Sequence, residues 1–278
     1  MSKHVPISFE FFPTKTDAGA EKLRTVHQEL QTLNPEFFSI TYGAGGSTRE
    51  RTLAAINDFY QKGTPVAPHL SCIGDDKQRI AELLDLYKTK GIDRIVALRG
   101  DLPSGQVGLG ELPYAQDLVR FIREHSGDHF QIEVAAYPEM HPQAADLDVD
   151  IKNFVNKVNA GANAAITQFF FNPDAYFYFI DRLHKAGVNI PVAPGIMPIT
   201  NASNLIRFAD GTGAEIPRWI RKQLQAYGDD QQSIKAFGHE VVVKLCERLL
   251  AGGAPALHFY TMNQTDPTRQ LVHDLNLV

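Results

Sequence analysis

Short runs of apolar and β-branched residues recur along the chain, and each interval between them is long enough for a helix. There are eight runs, and they cover residues 6–12, 37–43, 65–72, 92–100, 131–137, 164–171, 189–197 and 255–262. Runs of this length, bounded by glycine, proline and polar residues, are typical of β-strands. The pattern therefore predicts eight strands.

The segments between the runs have the spacing of amphipathic helices. Apolar residues recur every three or four positions in residues 17–33, 48–62, 76–90, 114–126, 146–160 and 173–187. The last interval, 198–254, is longer and has room for at least two helices, near 214–228 and 231–251. Strands that alternate with helices form parallel sheets, and eight such units close a barrel.

We therefore predict an α/β fold, a single (β/α)8 barrel over residues 1–278 with extra helices between strands 7 and 8. No Pro- or Ser-rich linker divides the chain. The alternative is an open, doubly wound sheet, which also alternates strands and helices. That fold binds dinucleotides through a glycine fingerprint, and the loop GAGGST at 43–48 lacks its third glycine. The barrel is favoured.

Composition narrows the class of function. Hydrophobic residues make up 44% of the chain, and its net charge of -5 argues against a nucleic-acid surface, which needs clustered Lys and Arg. No apolar run reaches the roughly 20 residues that span a bilayer. The N-terminus lacks the pattern of a secretory signal, and the two cysteines lie far apart. We expect a cytoplasmic protein with a small-molecule substrate, without nucleic-acid or membrane partners and, given no metal-ligand spacing, without a metal.

Side-chain alternation in the first run singles out one carboxyl group. Phe9 and Phe11 share one face of this strand, and Ser8 and Glu10 share the other. If the phenylalanines meet the helices, Glu10 points into the barrel. Burial among apolar groups raises the pKa of a carboxyl, which could then act as a general acid near neutral pH. The alternative is a structural carboxylate paired with an interior cation or hydroxyl.

The same parity argument gathers polar side chains late in several strands, where barrel active sites lie. The residues at these positions are Ser39, Thr41, Ala67, His69, Ser71, Gln168, His258 and Tyr260. All of them except Ala67 are polar. Loops at the same end include Arg99-Gly100-Asp101 and the segment from Tyr137 to Pro142. On the helix after that segment, Asp150, Asn153 and Lys157 share a face. Such a stripe is usually only solvated, but here it could hold a polyhydroxyl and phosphate chain, with Arg99 or Lys157 supplying positive charge.

Eight strings along the chain carry a family resemblance. They are SFEFFP at 8–13, TYGAGGSTRERT at 41–52, APHLSC at 67–72, IVALRGD at 95–101, AAYPEMHP at 135–142, GANAAITQFFF at 161–171, PGIMPITN at 194–201 and HFYTMN at 258–263. In this order they resemble the bacterial, FAD-dependent type of methylenetetrahydrofolate reductase. The resemblance implies a barrel that binds FAD, takes hydride from NADH or NADPH and reduces 5,10-methylenetetrahydrofolate to 5-methyltetrahydrofolate, supplying methyl groups for methionine synthesis. It also implies a homo-oligomer.

The resemblance further implies roles for individual residues. Glu10 would be the general acid that helps open the folate ring, and Asp101 would lie beside flavin and pterin. Substrate contacts would come from Thr41, Asp101, Gln168, Phe208, Tyr260 and Gln264. FAD would contact Tyr42, Ala44, His69, Arg99, Gly100, Asp101, Ala115, Tyr137, His141, Ala144, Asp150, Asn153 and Lys157. One departure is Gln264, where family members often have Arg, which bears on how the folate tail or the nicotinamide is held.

Two other functions fit a barrel of this composition. A metal-dependent hydrolase or a Schiff-base aldolase would need a metal cluster or a strand lysine, and none of the eight runs contains Lys. A protein that only stores flavin or binds folate could use the same pocket. Glu10 would be superfluous in such a binding protein.

Overall fold

A computed structural model describes residues 5–42, 49–61, 63–100 and 110–278 of the chain. Its strands are all parallel and form one nearly closed barrel, in the order β7-β6-β5-β4-β3-β2-β1-β9-β8. The bounds are β1 (Ile7–Phe11), β2 (Phe37–Ile40), β3 (Val66–Ser71), β4 (Arg94–Leu98), β5 (Gln131–Ala136), β6 (Ala164–Thr167), β7 (Val192–Ala193), β8 (Gly195–Ile196) and β9 (Leu257–Tyr260). The predicted (β/α)8 barrel is confirmed.

The seventh predicted run forms two short strands, one on each side of Pro194. β7 pairs with β6, while β8 pairs with β9, so this single run joins the two edges of the sheet. Gly195 makes the junction possible, because a Cβ there would lie 2.2 Å from the backbone oxygen of Thr167 and 2.7 Å from the ring of Tyr260. A side chain at position 195 would therefore force these neighbours apart where the barrel closes.

Helices occupy the intervals between the strands, as predicted. The bounds are α1 (Asp17–Gln31), α2 (Arg49–Gln61), α3 (Lys77–Thr89), α4 (Ala115–Ser126), α5 (Leu147–Asn159), α6 (Pro173–Lys185), α7 (Ala202–Thr212), α8 (Arg218–Tyr227), α9 (Gln231–Ala251) and α10 (Thr268–Asp274). The long interval before β9 holds three helices, because α7 precedes the two that the spacing indicated. Within the described ranges, no helix has the length and apolar composition that crossing a bilayer requires.

Side-chain caps explain where several helices begin. Asp76 accepts a hydrogen bond from the amide of Arg79 at the start of α3, and Asp146 accepts one from Val149 at the start of α5. Asn201 does the same for Asn204 in α7. Each cap satisfies a backbone N–H that the helix itself leaves without a partner.

The two faces of the strands form two separate apolar regions. Phe9 and Phe11 are fully buried against the helix layer, where the Phe11 ring lies 5.3 Å from that of Phe59. Inside the barrel a smaller cluster forms from Phe37, Ala67, Val96 and Ile166. Two positions after Phe37 and Ala67 on the same strands, the inward residues are Ser39 and His69, so polar side chains follow apolar ones toward the carboxyl end of β2 and β3.

Candidate active site

The Glu10 carboxyl points into the barrel between two imidazoles, as the parity of β1 predicts. Its Oε2 atom lies 3.3 Å from Nε2 of His69 on β3 and 3.6 Å from Nε2 of His258 on β9. The side chain of His258 is 0% exposed, that of His69 10% and that of Glu10 20%. Three strands therefore bring one acid and two bases together in a largely enclosed space.

The pKa of Glu10 shifts in the direction opposite to the predicted one. Burial raises it, but hydrogen-bonding and charge contributions from His258 and His69 outweigh burial and lower the pKa to about 2. The prediction of a raised pKa is therefore wrong, because it considered the apolar surroundings without the two imidazoles. The two contacts, at 3.3 and 3.6 Å, are longer than an ordinary hydrogen bond, so the shift depends on the closeness of both imidazoles to one carboxylate oxygen.

The Nδ1 side of the His258 imidazole contacts Ser8 on β1. Its Nδ1 lies 2.7 Å from the Ser8 hydroxyl, and β1 and β9 place Ser8 directly opposite His258 in the sheet register. When Nε2 carries the proton that faces Glu10, Nδ1 is the acceptor for the Ser8 hydroxyl. Ser8 therefore fixes the orientation of the imidazole, while its hydroxyl can donate to Nδ1 or accept from it according to the tautomer.

Tyr260 extends the polar cluster across the mouth of the barrel. Its hydroxyl donates a hydrogen bond of 2.7 Å to the backbone oxygen of Thr167 on β6. Burial raises the pKa of Tyr260 well above its ordinary value, and the negative charge of Glu10 adds to the effect. Tyr260 therefore remains a neutral hydrogen-bond donor beside the carboxylate.

A cavity of about 660 Å³ opens beside the ends of β4 and β5. Eight residues predicted to contact FAD line it: Arg99, Ala115, Tyr137, His141, Ala144, Asp150, Asn153 and Lys157. Four further lining residues were not predicted: Tyr114, Gln116, Gln143 and Asn156. Helical spacing could have identified Asn156, which follows Asn153 by three positions on α5. The other three lie in or next to loops and carried no such signal.

The charges along this cavity suit an anionic ligand. Lys157 donates a hydrogen bond of 2.5 Å to the backbone oxygen of Ala135, and Arg99 donates one of 3.2 Å to Gly100. Neither forms an ion pair with any carboxylate in the described part of the chain. Burial lowers the pKa of Lys157 to about 8, although the charge of Asp150 opposes this shift. Two cations that form no ion pair with the described residues fit a ligand that carries phosphates.

A backbone clamp shapes the loop after β5. The amide of His141 donates to Oδ2 of Asp150 at 2.9 Å, and the imidazole of His141 packs edge-on against Tyr137, with ring centroids 4.5 Å apart. Asp150 is buried at the first turn of α5. Asp150, one residue of the predicted polar stripe on α5, therefore positions the loop and also lines the cavity.

The remaining predicted residues lie at the same end of the barrel or outside the described residues. Thr41 follows β2, and its buried Oγ1 has no hydrogen-bond partner among the described groups. Gln168 follows β6, and Phe208 is half-buried on α7 with the Arg207 guanidinium 5.2 Å from its ring. Tyr42 follows Thr41, Gln264 is exposed after β9, and Gly100 has φ +87°. Ala44 and Asp101 lie outside the described residues.

His69 was predicted for the cofactor site. The structure places it beside Glu10, and it is not among the residues that line the 660 Å³ cavity. Position 100 has a steric requirement for glycine, because a Cβ there would lie 1.9 Å from Oγ of Ser71. Both residues thus have a structural reason for their positions that the resemblance did not supply.

Comparison with known proteins gives consistent matches over the whole chain. The family model for methylenetetrahydrofolate reductase matches residues 1–276. The chain is 39% identical over 274 residues to the 5,10-methylenetetrahydrofolate reductase of Escherichia coli (strain K12), covering 98% of this chain and 91% of that protein. It is 39% identical over 275 residues to that of Buchnera aphidicola subsp. Acyrthosiphon pisum, covering 99% and 93%.

A solved structure shares the fold at low sequence identity. It is an uncharacterized protein from Clostridium thermocellum that binds two copies of 5-methyl-5,6,7,8-tetrahydrofolic acid. Its TM-score to this chain is 0.69 at 17% identity, with 98% of this chain and 94% of that one covered. At this identity the similarity shows a common fold.

Proposed function

The chain belongs to the methylenetetrahydrofolate reductase family, and we propose that it reduces 5,10-methylenetetrahydrofolate to 5-methyltetrahydrofolate with bound FAD and NADH or NADPH. The observation that carries this proposal is the Glu10 carboxyl, held between His69 and His258 inside a barrel mouth that also opens to a large cation-lined cavity. A proton source and a cofactor cavity at one end of the barrel are what this reduction needs.

The cavity has the size and the charges for a dinucleotide such as FAD. Arg99 and Lys157 would hold its phosphates, while Asp150 and Asn153 offer oxygen and amide groups for its hydroxyl groups. When bound, FAD supplies a two-electron carrier between the nicotinamide and the folate. The protein's own contribution is to hold that carrier rigidly next to the substrate.

Reduction of the folate needs one proton as well as one hydride. The bond from the bridging carbon to one ring nitrogen breaks, the nitrogen takes the proton, and the carbon, as an iminium, takes the hydride. Because Glu10 is ionised at neutral pH, it would take up one proton from water and pass it through Oε2 to the nitrogen. The two imidazoles beside Oε2 would hold the carboxyl group in place for this transfer.

Other side chains at the mouth would orient the substrate. Gln168 would bond a polar edge of the pterin, and Phe208 would stack on a bound ring. The Thr41 hydroxyl, which has no partner among the described groups, would contact the nicotinamide or folate. The hydroxyl of Tyr260 is already bonded to Thr167, so Tyr260 would contribute its ring. Gln264 is exposed and uncharged, and it would contact the folate tail only weakly.

The test is the visible spectrum of the FAD-loaded protein under anaerobic conditions. NADH should bleach the flavin absorbance, and methylenetetrahydrofolate should restore it. In Glu10→Gln bleaching should persist, while recovery slows by about 100-fold or more, as expected for loss of a general acid. Glu247→Gln, an exposed carboxyl on α9, is the matched control and should leave both steps unchanged. Equal loss of both steps in Glu10→Gln would disprove the acid role.

A further inference from the structure

Met140 has an unusual backbone conformation at the edge of the cavity. Its φ is +85°, whereas the other non-glycine residues with positive φ in the described ranges, Asn34, Met262, Asn263 and Asn276, have φ between 50° and 54°. Residues with a Cβ rarely adopt φ near +85°, and such conformations persist only where the surroundings impose them. Strained residues of this kind cluster at functional sites.

The surroundings of Met140 do impose this conformation. On one side, Oε2 of Glu139 accepts a hydrogen bond of 2.8 Å from the amide of Glu215. On the other, the amide of His141 donates to Asp150 at 2.9 Å, and the amide of Met140 closes a turn onto the oxygen of Tyr137 at 3.2 Å. Glycine would satisfy all three bonds without strain. The methionine side chain must therefore compensate for the strain it introduces.

Met140 lies where the two parts of the proposed site meet. It lines a narrow crevice together with Tyr137, Gln168, Phe169 and residues 212–214, at and just after the end of α7. Tyr137 also lines the 660 Å³ cavity. The half-buried Met140 is thus placed between the cofactor cavity and Gln168, the residue that would bind the folate.

We propose that Met140 is a specificity-determining residue, whose thioether packs against an aromatic ring of the folate bound beside Gln168. The inference rests on the proposed function and adds a substrate contact to it. Thioethers interact favourably with aromatic rings, and an unbranched side chain adapts to the shape of its ligand. The strain at Met140 is retained because only a side chain, and not glycine, can make this contact.

Three variants separate a direct contact from a structural role. Met140→Ala removes the side chain and keeps the strain, Met140→Gly removes both, and Met140→Leu keeps an apolar side chain. We expect Ala and Gly to require roughly two- to tenfold more methylenetetrahydrofolate for half-maximal recovery of flavin absorbance. The NADH dependence of bleaching should not change, and Leu should stay within about twofold of the parent. The Gly variant should unfold about 2–4 °C above the Ala variant.

The result that overturns this inference is a folate dependence that follows stability, with Ala weaker than Gly, because the side chain would then act only by holding the loop. An unchanged folate dependence in both variants overturns it as well. A parent protein that bleaches with NADH but never recovers with folate overturns the proposed function, and this inference with it. Recovery in the parent together with normal recovery in the variants refutes the Met140 contact alone.

Discussion

Replacing Lys157 with Met should stabilise the protein without its cofactor and weaken the cofactor site. The Nζ amine lies on α5 at the wall of the cavity, where its one hydrogen bond in the described part of the chain goes to the oxygen of Ala135. Methionine has a similar length and carries no charge. The substitution therefore removes a cation whose natural partner, on our proposal, is a phosphate of FAD.

The size of the effect follows from the pKa of Lys157. Burial lowers this pKa from 10.5 to about 8, with Asp150 opposing the shift. At about 1.4 kcal/mol per unit, the charged form is disfavoured by about 3 kcal/mol in the folded protein. The side chain is only half-buried, so screening by water reduces this to roughly 1–3 kcal/mol. The cost is fully present below pH 8 and disappears as the pH rises from 8 toward 10.5, because the folded pKa lies below the unfolded one.

Two measurements test the prediction. Thermal unfolding of the cofactor-free protein at pH 7 should give a higher Tm for Lys157→Met, and the difference should shrink at pH 10. FAD binding, followed by quenching of flavin fluorescence, should weaken by about 10- to 100-fold at pH 7, the cost of a lost charge-assisted hydrogen bond. In the parent, FAD affinity should also fall above pH 8, and the variant should lack this dependence. Lys152→Met, an exposed lysine on the same helix, should change neither quantity.

A lower Tm for Lys157→Met at pH 7 would show that the amine is stabilised rather than penalised in the empty cavity. An unchanged FAD affinity would show that Lys157 does not contact the phosphates. Either result would refute the assignment of this cavity to an anionic cofactor through Lys157.

Two further predictions concern the frame that holds the site. Gly195→Ala should destabilise the protein by about 3 kcal/mol or more in urea unfolding. The reason is that its Cβ would overlap the oxygen of Thr167 and the ring of Tyr260. A loss of stability below about 1 kcal/mol would contradict tight closure of the barrel. Asn263→Ala should lower the free energy of unfolding by about 1–3 kcal/mol. Its side-chain oxygen accepts from the N–H of Phe12 at 3.0 Å, and its side-chain nitrogen donates to the oxygen of Phe12 at 2.8 Å. Unaltered stability would show that these bonds do not tie β1 to the loop after β9.

Hydrophobic spacing was sufficient for the architecture but not for its details. The seventh run reads as continuous, and only the structure shows that it breaks at Pro194 into two strands with different partners. α7 was missed although Asn201 at its start and Gly213 at its end are the expected caps. Those two residues were a usable local signal within a long interval.

The site shows a similar division between local and distant information. Parity placed Glu10 inside the barrel on the condition that the phenylalanines beside it meet the helices, and both phenylalanines are buried. Its pKa depends on His69 and His258, which are remote in sequence, and no local pattern reveals that both reach the same carboxylate oxygen. Charge state follows from three-dimensional proximity, whereas side-chain orientation follows from the strand itself.

The pairing of β1 with β9 has a consequence for synthesis of the protein. Ser8 and His258 are separated by 250 positions in sequence, and Glu10 lies opposite Tyr260. During translation, the site around Glu10 can be assembled only after nearly the whole polypeptide has left the ribosome. Contacts this remote form late and require the chain between them to be organised first. A nascent or C-terminally truncated chain thus contains Glu10 and His69 without His258 and Tyr260, and its site is incomplete.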